Sequence, residues 1–338
     1  MTENKMLGKQ SIRFGKAVHI ISSASVVGKK EGEGPLGNLF DLICQDDMFG
    51  ENTWEAAEST MQTESIKTAL GKAGLKPWQV RYLLGGDLLG QLMATSFGAE
   101  KMNIPFLGLY GACSTCAEAL SLGAVMISGG FADYVATVTS SHFASAEKQF
   151  RFPLAYGNQR PLSATWTVTG CGAFVLAESG GSVQITGITT GKVVDYGVKD
   201  SMNMGACMAP AAADTIYQNL MEFNCKPEEY DHIITGDLGY VGQTILIDLL
   251  KDRGIDISNV HMDCGIEIFD KKMQDTHSGG SGCGCSAVTL AAKILPMIKN
   301  GNWKKILFVP TGALHSTVSF NEGKSVPGIA HAVVIEHC

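Results

Sequence analysis

Five residues recur along this 338-residue chain at one spacing of 150 positions (226 less 76). Lys76 pairs with Lys226, Pro77 with Pro227, Gly86 with Gly236, Asp87 with Asp237 and Leu88 with Leu238. An ungapped set of this kind marks an internal duplication, which restricts the chain to folds built from two like halves. The context of each copy agrees. In the first, a helical pattern over residues 54–75 leads into Lys76-Pro77-Trp78 and then the apolar run from Val80 to Asp87. In the second, a helical pattern over 211–223 leads into Lys226-Pro227-Glu228 and then His232 to Leu238. Apolar residues at helical spacing, a proline restart and a short β-branched run read as helix, turn and strand each time.

A second set continues the repeat at a spacing of 170 (283 less 113), with Cys113, Ala117 and Leu120 answered by Cys283, Ala287 and Leu290. Each half therefore carries a turn rich in glycine and cysteine that opens a helix. A strand follows each of these helices, Tyr134 to Thr139 and Lys305 to Val309, and just beyond the strands lie His142 and His315. Ala17 to Val27 reads as a first buried strand, Gly28 to Gly50 as a surface loop, and Glu178 to Ser182 as a linker. The expected organisation is α/β, with two βαβ-rich halves spanning residues 1–180 and 181–338 and mostly parallel sheets. If the halves pack about a pseudo-twofold axis, both turns and both histidines converge on one central pocket.

The first of these turns, Gly111-Ala112-Cys113-Ser114-Thr115-Cys116-Ala117, holds the most reactive chemistry in the sequence. Ile104 to Tyr110 reads as a strand before it, and Ala117 to Ser128 as a buried helix after it. A cysteine at the positive end of a helix has its thiolate stabilised, which lowers its pKa from about 8.5 toward roughly 3.5–7.5. On this ground Cys113 is expected to be the most readily alkylated of the ten cysteines. The competing reading is a small buried thiol that only packs.

Composition narrows the function classes. A net charge of −7 provides no general attraction for nucleic acid or an anionic membrane surface, so a small anion needs a local pocket. With 45% hydrophobic and 17% charged residues the chain has ample core. Ten cysteines spread mostly through apolar stretches suit reduced, buried thiols inside a cell better than a disulfide scaffold. Cys113-x-x-Cys116 and Cys283-x-Cys285 lack the histidine or cysteine partners of a zinc site, so no metal is expected. Residues 1–15 lack the apolar core of a signal peptide, and no run reaches the about 20 apolar residues of a membrane span. An intracellular protein, soluble or peripheral at a membrane, is expected.

Ala112-Cys113-Ser114-Thr115-Cys116-Ala117 resembles the nucleophile segment of β-ketoacyl synthases and other thiolase-fold enzymes. Gly170-Cys171-Gly172-Ala173-Phe174-Val175-Leu176-Ala177-Glu178 resembles the strand that closes their first half. Together with the duplication, the resemblance covers nearly the whole chain and implies a thiolase-like fold, a five-layered α-β-α-β-α sandwich. The segments Trp54 to Ser59, Phe150 to Leu154, Tyr156 to Pro161 and Trp166 to Gly170 bring the chain closer to a sporulation-specific branch of that fold in spore-forming bacteria. That branch implies binding of dipicolinic acid (pyridine-2,6-dicarboxylic acid), alone or as its calcium chelate. It also implies a role in uptake of the acid into the developing spore, at the inner membrane, with membrane-embedded sporulation proteins as partners. No cofactor is implied.

The departures from the condensing enzymes matter as much. Those enzymes need a histidine on the loop after the second-half strand, in a Pro-His-x-x-Asn setting. Here Thr235-Gly236-Asp237-Leu238 has none. Their second helper, a His or Asn before the second-half helix, falls either on His277 or on Gly280 or Ser281. Loss of one oxyanion donor costs about 10²–10³ in rate, so a binding protein is the favoured reading. An acyltransferase using Cys113 as nucleophile is the alternative.

Candidate ligand contacts are Cys113, His142, His277, His315, Ser163, Arg151 and Arg160. The two arginines flank an aromatic, Pro/Gly-rich loop and have the fork geometry that suits carboxylates. His142 is otherwise a helix cap, His277 a solvated loop residue, and the arginines surface or interface groups. Asp87 and Asp237, being symmetric, read as structural. A homodimer is expected through the strand Tyr134 to Thr139, with Phe131 and Tyr134 near its edge.

Overall fold

The computed structural model describes residues 5–150 and 159–338. Its strands are β1 (Lys5–Leu7), β2 (Ser11–Val27), β3 (Leu42–Ile43), β4 (Tyr82–Gly86), β5 (Phe106–Gly108), β6 (Tyr134–Ser141), β7 (Trp166–Thr167) and β8 (Gly170–Ala177). They continue as β9 (Val183–Thr189), β10 (His232–Thr235), β11 (His261–Asp263), β12 (Gly280–Ser281), β13 (Lys305–Val309), β14 (Thr311–Ala313), β15 (Gly328–Ala330) and β16 (Ala332–His337). The helices are α1 (Lys29–Gly32), α2 (Trp54–Ala73), α3 (Met93–Glu100), α4 (Thr115–Ser128), α5 (Phe143–Phe150), α6 (Met204–Phe223), α7 (Gly239–Lys251) and α8 (Cys264–Glu267). The last are α9 (Cys283–Thr289), α10 (Leu295–Lys299), reached from α9 through π-helical residues Leu290–Ile294, and α11 (Thr317–Asn321).

The large sheet has the strand order β11-β10-β13-β16-β9-β2-β8-β6-β4-β5, and this order is the duplication made visible. Counted inward from either end, the same pattern appears. The edge strand lies parallel to β10 or β4, which lies parallel to β13 or β6; two antiparallel steps then lead through β16 or β8 to β9 or β2. The two series meet where β2 pairs antiparallel with β9. Residues 178–182, with Gly180 and Gly181 at positive φ, turn the chain from β8 into β9.

Alternation along the strands explains the layering, because successive side chains of a strand point to opposite faces. In β8, Cys171, Ala173 and Val175 pack with Met61, Ile66 and Leu70 of α2. Phe174 and Leu176, on its other face, join Leu120 of α4 and Val288 and Leu290 of the α9 region. In β13 and β16, Phe308 and Val333 enter that same central cluster, whereas Leu307 and Val334 face Met208, Ile216 and Leu246 of α6 and α7. The layers are thus α2 with α3, the first half of the sheet, α4 with α9, the second half, and α6 with α7. A largely apolar helix such as α4 is stable because most of its surface, all but the side carrying Leu122 and Val125, is enclosed in this way. Close approach sets the middle layer: a Cβ on Gly172 of β8 would lie 2.6 Å from the Cβ of Ala287 in α9.

Three sequence expectations need correction. The sheet is mixed, not mostly parallel, because the strands joining the two halves, β16, β9, β2 and β8, pair antiparallel. The stretch 28–50 is not only loop, since it contains α1, a single 3-10 turn and β3, with β3 pairing parallel to β2. The expected dimer strand, β6, lies between β4 and β8, so both of its hydrogen-bonding edges are occupied. The strand before the Cys113 turn, β5, is the outermost one of the first half and pairs only with β4. Local pattern showed that both segments were strands, but edge position is a property of topology. Among the described residues, no helix is long and apolar enough to cross a membrane.

Candidate functional site

The Cys113 turn is held by its own short polar side chains. Ser114 Oγ donates to the Gly111 carbonyl at 2.6 Å, and Thr115 Oγ1 donates to the Ala112 carbonyl at 2.7 Å while accepting from the Gly111 N–H at 3.0 Å. Ala112 takes a φ of +50°, an uncommon conformation for a residue with a Cβ, and presents Cys113 at the head of α4. Two elements of the second half clamp the turn from outside. Cys283 Sγ donates to the Ala112 carbonyl at 3.0 Å. Gly312 of β14 lies so close that a Cβ there would stand 2.2 Å from the Gly111 oxygen.

Opposite the thiol lies Asp237, on the loop after β10. That loop is tied down by Asp263, whose carboxylate accepts from the N–H groups of Leu238 (2.9 Å) and Gly239 (3.0 Å). Asp237 is buried and gathers donors from several segments. Its Oδ2 accepts from Ser281 Oγ at 3.0 Å and Gly282 N–H at 3.1 Å, and its Oδ1 from Thr311 Oγ1 at 2.6 Å. The Cys113 thiol lies beside the same carboxylate. Burial raises the Asp237 carboxyl above its ordinary value. Burial first, then the negative neighbour Asp237 and then Cys283 push the Cys113 thiol well above the usual cysteine range. Burial and then the carboxylate from the other half act against the helix-activated thiolate expected from the sequence, and Cys113 itself precedes α4 by two residues.

A narrow, partly open cavity of about 40 Å³ lies over Cys113. Leu88, Phe150, Met204 and Met208 supply apolar walls. Tyr110, Cys113, Thr167, Ser281 and His315 supply the polar lining, and a buried carboxyl, Glu147 of α5, also faces it. His315 packs between Phe150 (ring centroids 5.5 Å apart) and Phe320 (5.7 Å).

Of the seven residues expected at the ligand, the structure brings Cys113 and His315 together. His142 is used elsewhere. It is buried before α5, where Nδ1 accepts from the Ala144 N–H at 3.2 Å and Nε2 lies 2.8 Å from the Asp47 carbonyl; burial lowers its pKa. It is a helix cap. His277 bonds the Pro161 carbonyl through Nδ1 at 2.9 Å and reaches Asp275 at 3.0 Å, outside the cavity lining. Arg160 stacks over Trp166 at 4.7 Å and donates to the Asp275 carbonyl at 2.9 Å. Trp166 and Thr167 point to opposite sides of β7, so a cation on Trp166 faces away from the cavity that Thr167 lines. Ser163 sits half-buried in the turn before β7 and does not line the cavity. Arg151 lies outside the described residues. No group of three or more His, Cys, Asp or Glu suited to a metal ion occurs among the described residues.

The family profile of stage V sporulation protein AD matches residues 8–336. The chain belongs to that family. It is 42% identical over 332 residues to stage V sporulation protein AD of Bacillus subtilis (strain 168), an alignment covering 98% of both sequences. Solved structures of condensing enzymes share the fold. The 3-oxoacyl-[acyl-carrier-protein] synthase III of Aquifex aeolicus VF5 superposes with a TM-score of 0.57 at 17% identity, over 95% of this chain and 100% of that one. A tetronic acid condensing enzyme superposes with a TM-score of 0.59 at 16% identity, over 94% and 99%. The fold is thus the thiolase-like one that the Cys113 and Gly170 segments resemble.

Within this sporulation family member the site departs from the condensing pattern at two places. Asp237 stands on the loop where condensing enzymes carry their first histidine. Of the residues in the two open registers for the second helper, Ser281 lines the cavity and bonds Asp237, whereas His277 bonds Pro161 outside it. The sequence reading missed Asp237, Glu147 and Tyr110 as site residues and had Ser281 as one register of the second helper. A signal for Asp237 existed in its place on the loop that lacks the condensing-enzyme histidine.

Proposed function

We propose that this protein binds dipicolinic acid in the cavity over Cys113 without changing it chemically, and so serves uptake of the acid into the developing spore together with membrane-embedded partners. The observation that carries the non-catalytic part is the Cys113–Asp237 contact. A condensing enzyme needs a thiolate nucleophile and a neutral or cationic helper beside it. Here the thiol keeps its proton, and the helper position holds an acid. Family membership and the cavity lining support the ligand. A flat ring with two carboxylates needs an apolar slot and donors around it. Leu88, Phe150 and the two methionines form the slot, and Tyr110, Thr167 and His315 are the donors.

Calorimetric titration with dipicolinate, with and without Ca²⁺, tests the reading, and saturable binding is the expected result. Incubation with acyl-CoA followed by intact-mass measurement tests the alternative. A stable acyl adduct on Cys113 would replace the carrier reading with an acyltransferase.

A further inference from the structure

Behind the cavity, two buried carboxyls belong to one hydrogen-bond network. Glu58 of α2 and Asp87, on the loop after β4, are 1% and 0% exposed. Glu58 Oε1 accepts from Ser140 Oγ of β6 at 2.8 Å, and Ser140 in turn accepts from Gln62 Nε2 at 2.6 Å. Gln62 also donates to Thr95 Oγ1 at 2.9 Å, and Thr95 Oγ1 donates to Asp87 at 2.5 Å. The other oxygen of Glu58 lies 2.8 Å from Ser145 Oγ of α5.

Both ends of this network adjoin the cavity. Asp87 precedes Leu88, and Ser145 precedes Ala146 and Glu147; all three of these neighbours line it. We propose that a proton held by Glu58 beside Asp87 latches α5 to α2 and β6, so that the cavity wall formed by α5 loosens as the pH rises.

The wiring assigns the proton. Asp87 receives the N–H groups of Leu89 and Thr95 (2.7 Å each) besides the Thr95 hydroxyl, which favours its charged form. Glu58 receives only hydroxyls. Ser145 Oγ donates to Glu58 Oε2 and also lies 3.1 Å from the His142 carbonyl, to which its hydrogen can turn when Glu58 carries a proton. The remaining charged neighbours do not supply a counterion. Glu55 of α2 adds negative charge, and Lys148 of α5 is engaged with Glu55 at 2.6 Å. His142 lies near Glu55 and is lowered by burial, while the buried thiols of Cys171 on β8 and Cys283 on α9 lie near Glu58. Burial, then the Asp87 charge, raise Glu58 to about 8.

The sign follows from linkage. A carboxyl raised from an ordinary value near 4.5 to about 8 stabilises the closed wall fully below the lower value. That contribution drains away as the pH rises toward 8. Hydrogen exchange of amides 143–150 in the full chain, corrected for intrinsic rate, reads this directly. Protection should fall by up to roughly tenfold per pH unit between about 5 and 8. Glu58→Gln, which keeps a neutral hydrogen-bonding group, should make protection of α5 independent of pH. Asp87→Asn, which removes the like charge, should end the decline at a lower pH and serves as the test if the glutamine variant fails to fold. Equal pH profiles in the wild type and the folded variants would overturn the proposal. So would a loss of protection shared by all segments.

Discussion

Asp237, from the second half of the chain, lies beside the thiol of Cys113, from the first, and with burial holds that thiol protonated. The relationship is crossed, because burial and then Asp87 of the first half raise the thiol of Cys283 in the second. Each repeat thus supplies the acid that faces the other repeat's cysteine. Only the Cys113 side opens into the cavity, since Cys283 is fully buried against the Ala112 carbonyl.

Removing that acid should free the thiol. Asp237→Asn is expected to lower the pH midpoint of Cys113 alkylation, as iodoacetamide labelling and peptide mapping would show. In the unaltered protein, exposed Cys338 and half-exposed Cys44 should label first. Rapid labelling of Cys113 at neutral pH would contradict the assignment of its proton.

Ligand affinity offers a second handle. Cys113→Asp places volume and a second acid against Asp237 and should weaken dipicolinate binding at least tenfold, about 1.4 kcal/mol. Cys113→Ala should cost less, because a carrier uses the space and not the sulfur. Calorimetry on both variants decides the matter, and unchanged affinity in Cys113→Asp would place the ligand elsewhere.

The edge strand bears on assembly. β5 leaves one row of backbone donors and acceptors unpaired, with Leu107 exposed on it and Phe97, Leu122 and Val125 exposed on the flanking helices. We expect antiparallel pairing with a second copy there, giving twice the 35.9 kDa chain mass in light scattering. Leu107→Lys should shift the population toward monomer. A monomeric wild type at micromolar concentration would exclude this pairing.

Packing between the layers gives a stability test. Gly172→Ala forces a methyl group against Ala287 where the Cβ separation would be 2.6 Å, inside van der Waals contact. Overpacking of this kind typically costs about 1–3 kcal/mol, readable in denaturant midpoints. The same change at Gly254, whose Cβ position is open, should act only through its positive φ of 77°.

Much of the architecture is written locally and is therefore legible in the sequence. The Lys-Pro restarts, the paired Gly-Asp turns and the Cys113 and Cys283 turns recur because each half repeats the same local problem. The continuous apolar runs of β8 and β13 record burial on both faces wherever the strand ends up. What the sequence could not specify were contacts made between distant segments. His142, His277 and Arg160 have the right chemistry for a carboxylate, yet their side chains are committed to Asp47, Pro161 and Asp275. The edge position of β5 depends on strand order, which no single strand encodes. The surroundings of Cys113 were hidden for the same reason. A helix N-terminus is visible from neighbouring residues, but the burial and the carboxylate that oppose it come from the other repeat, and only the folded chain brings them together.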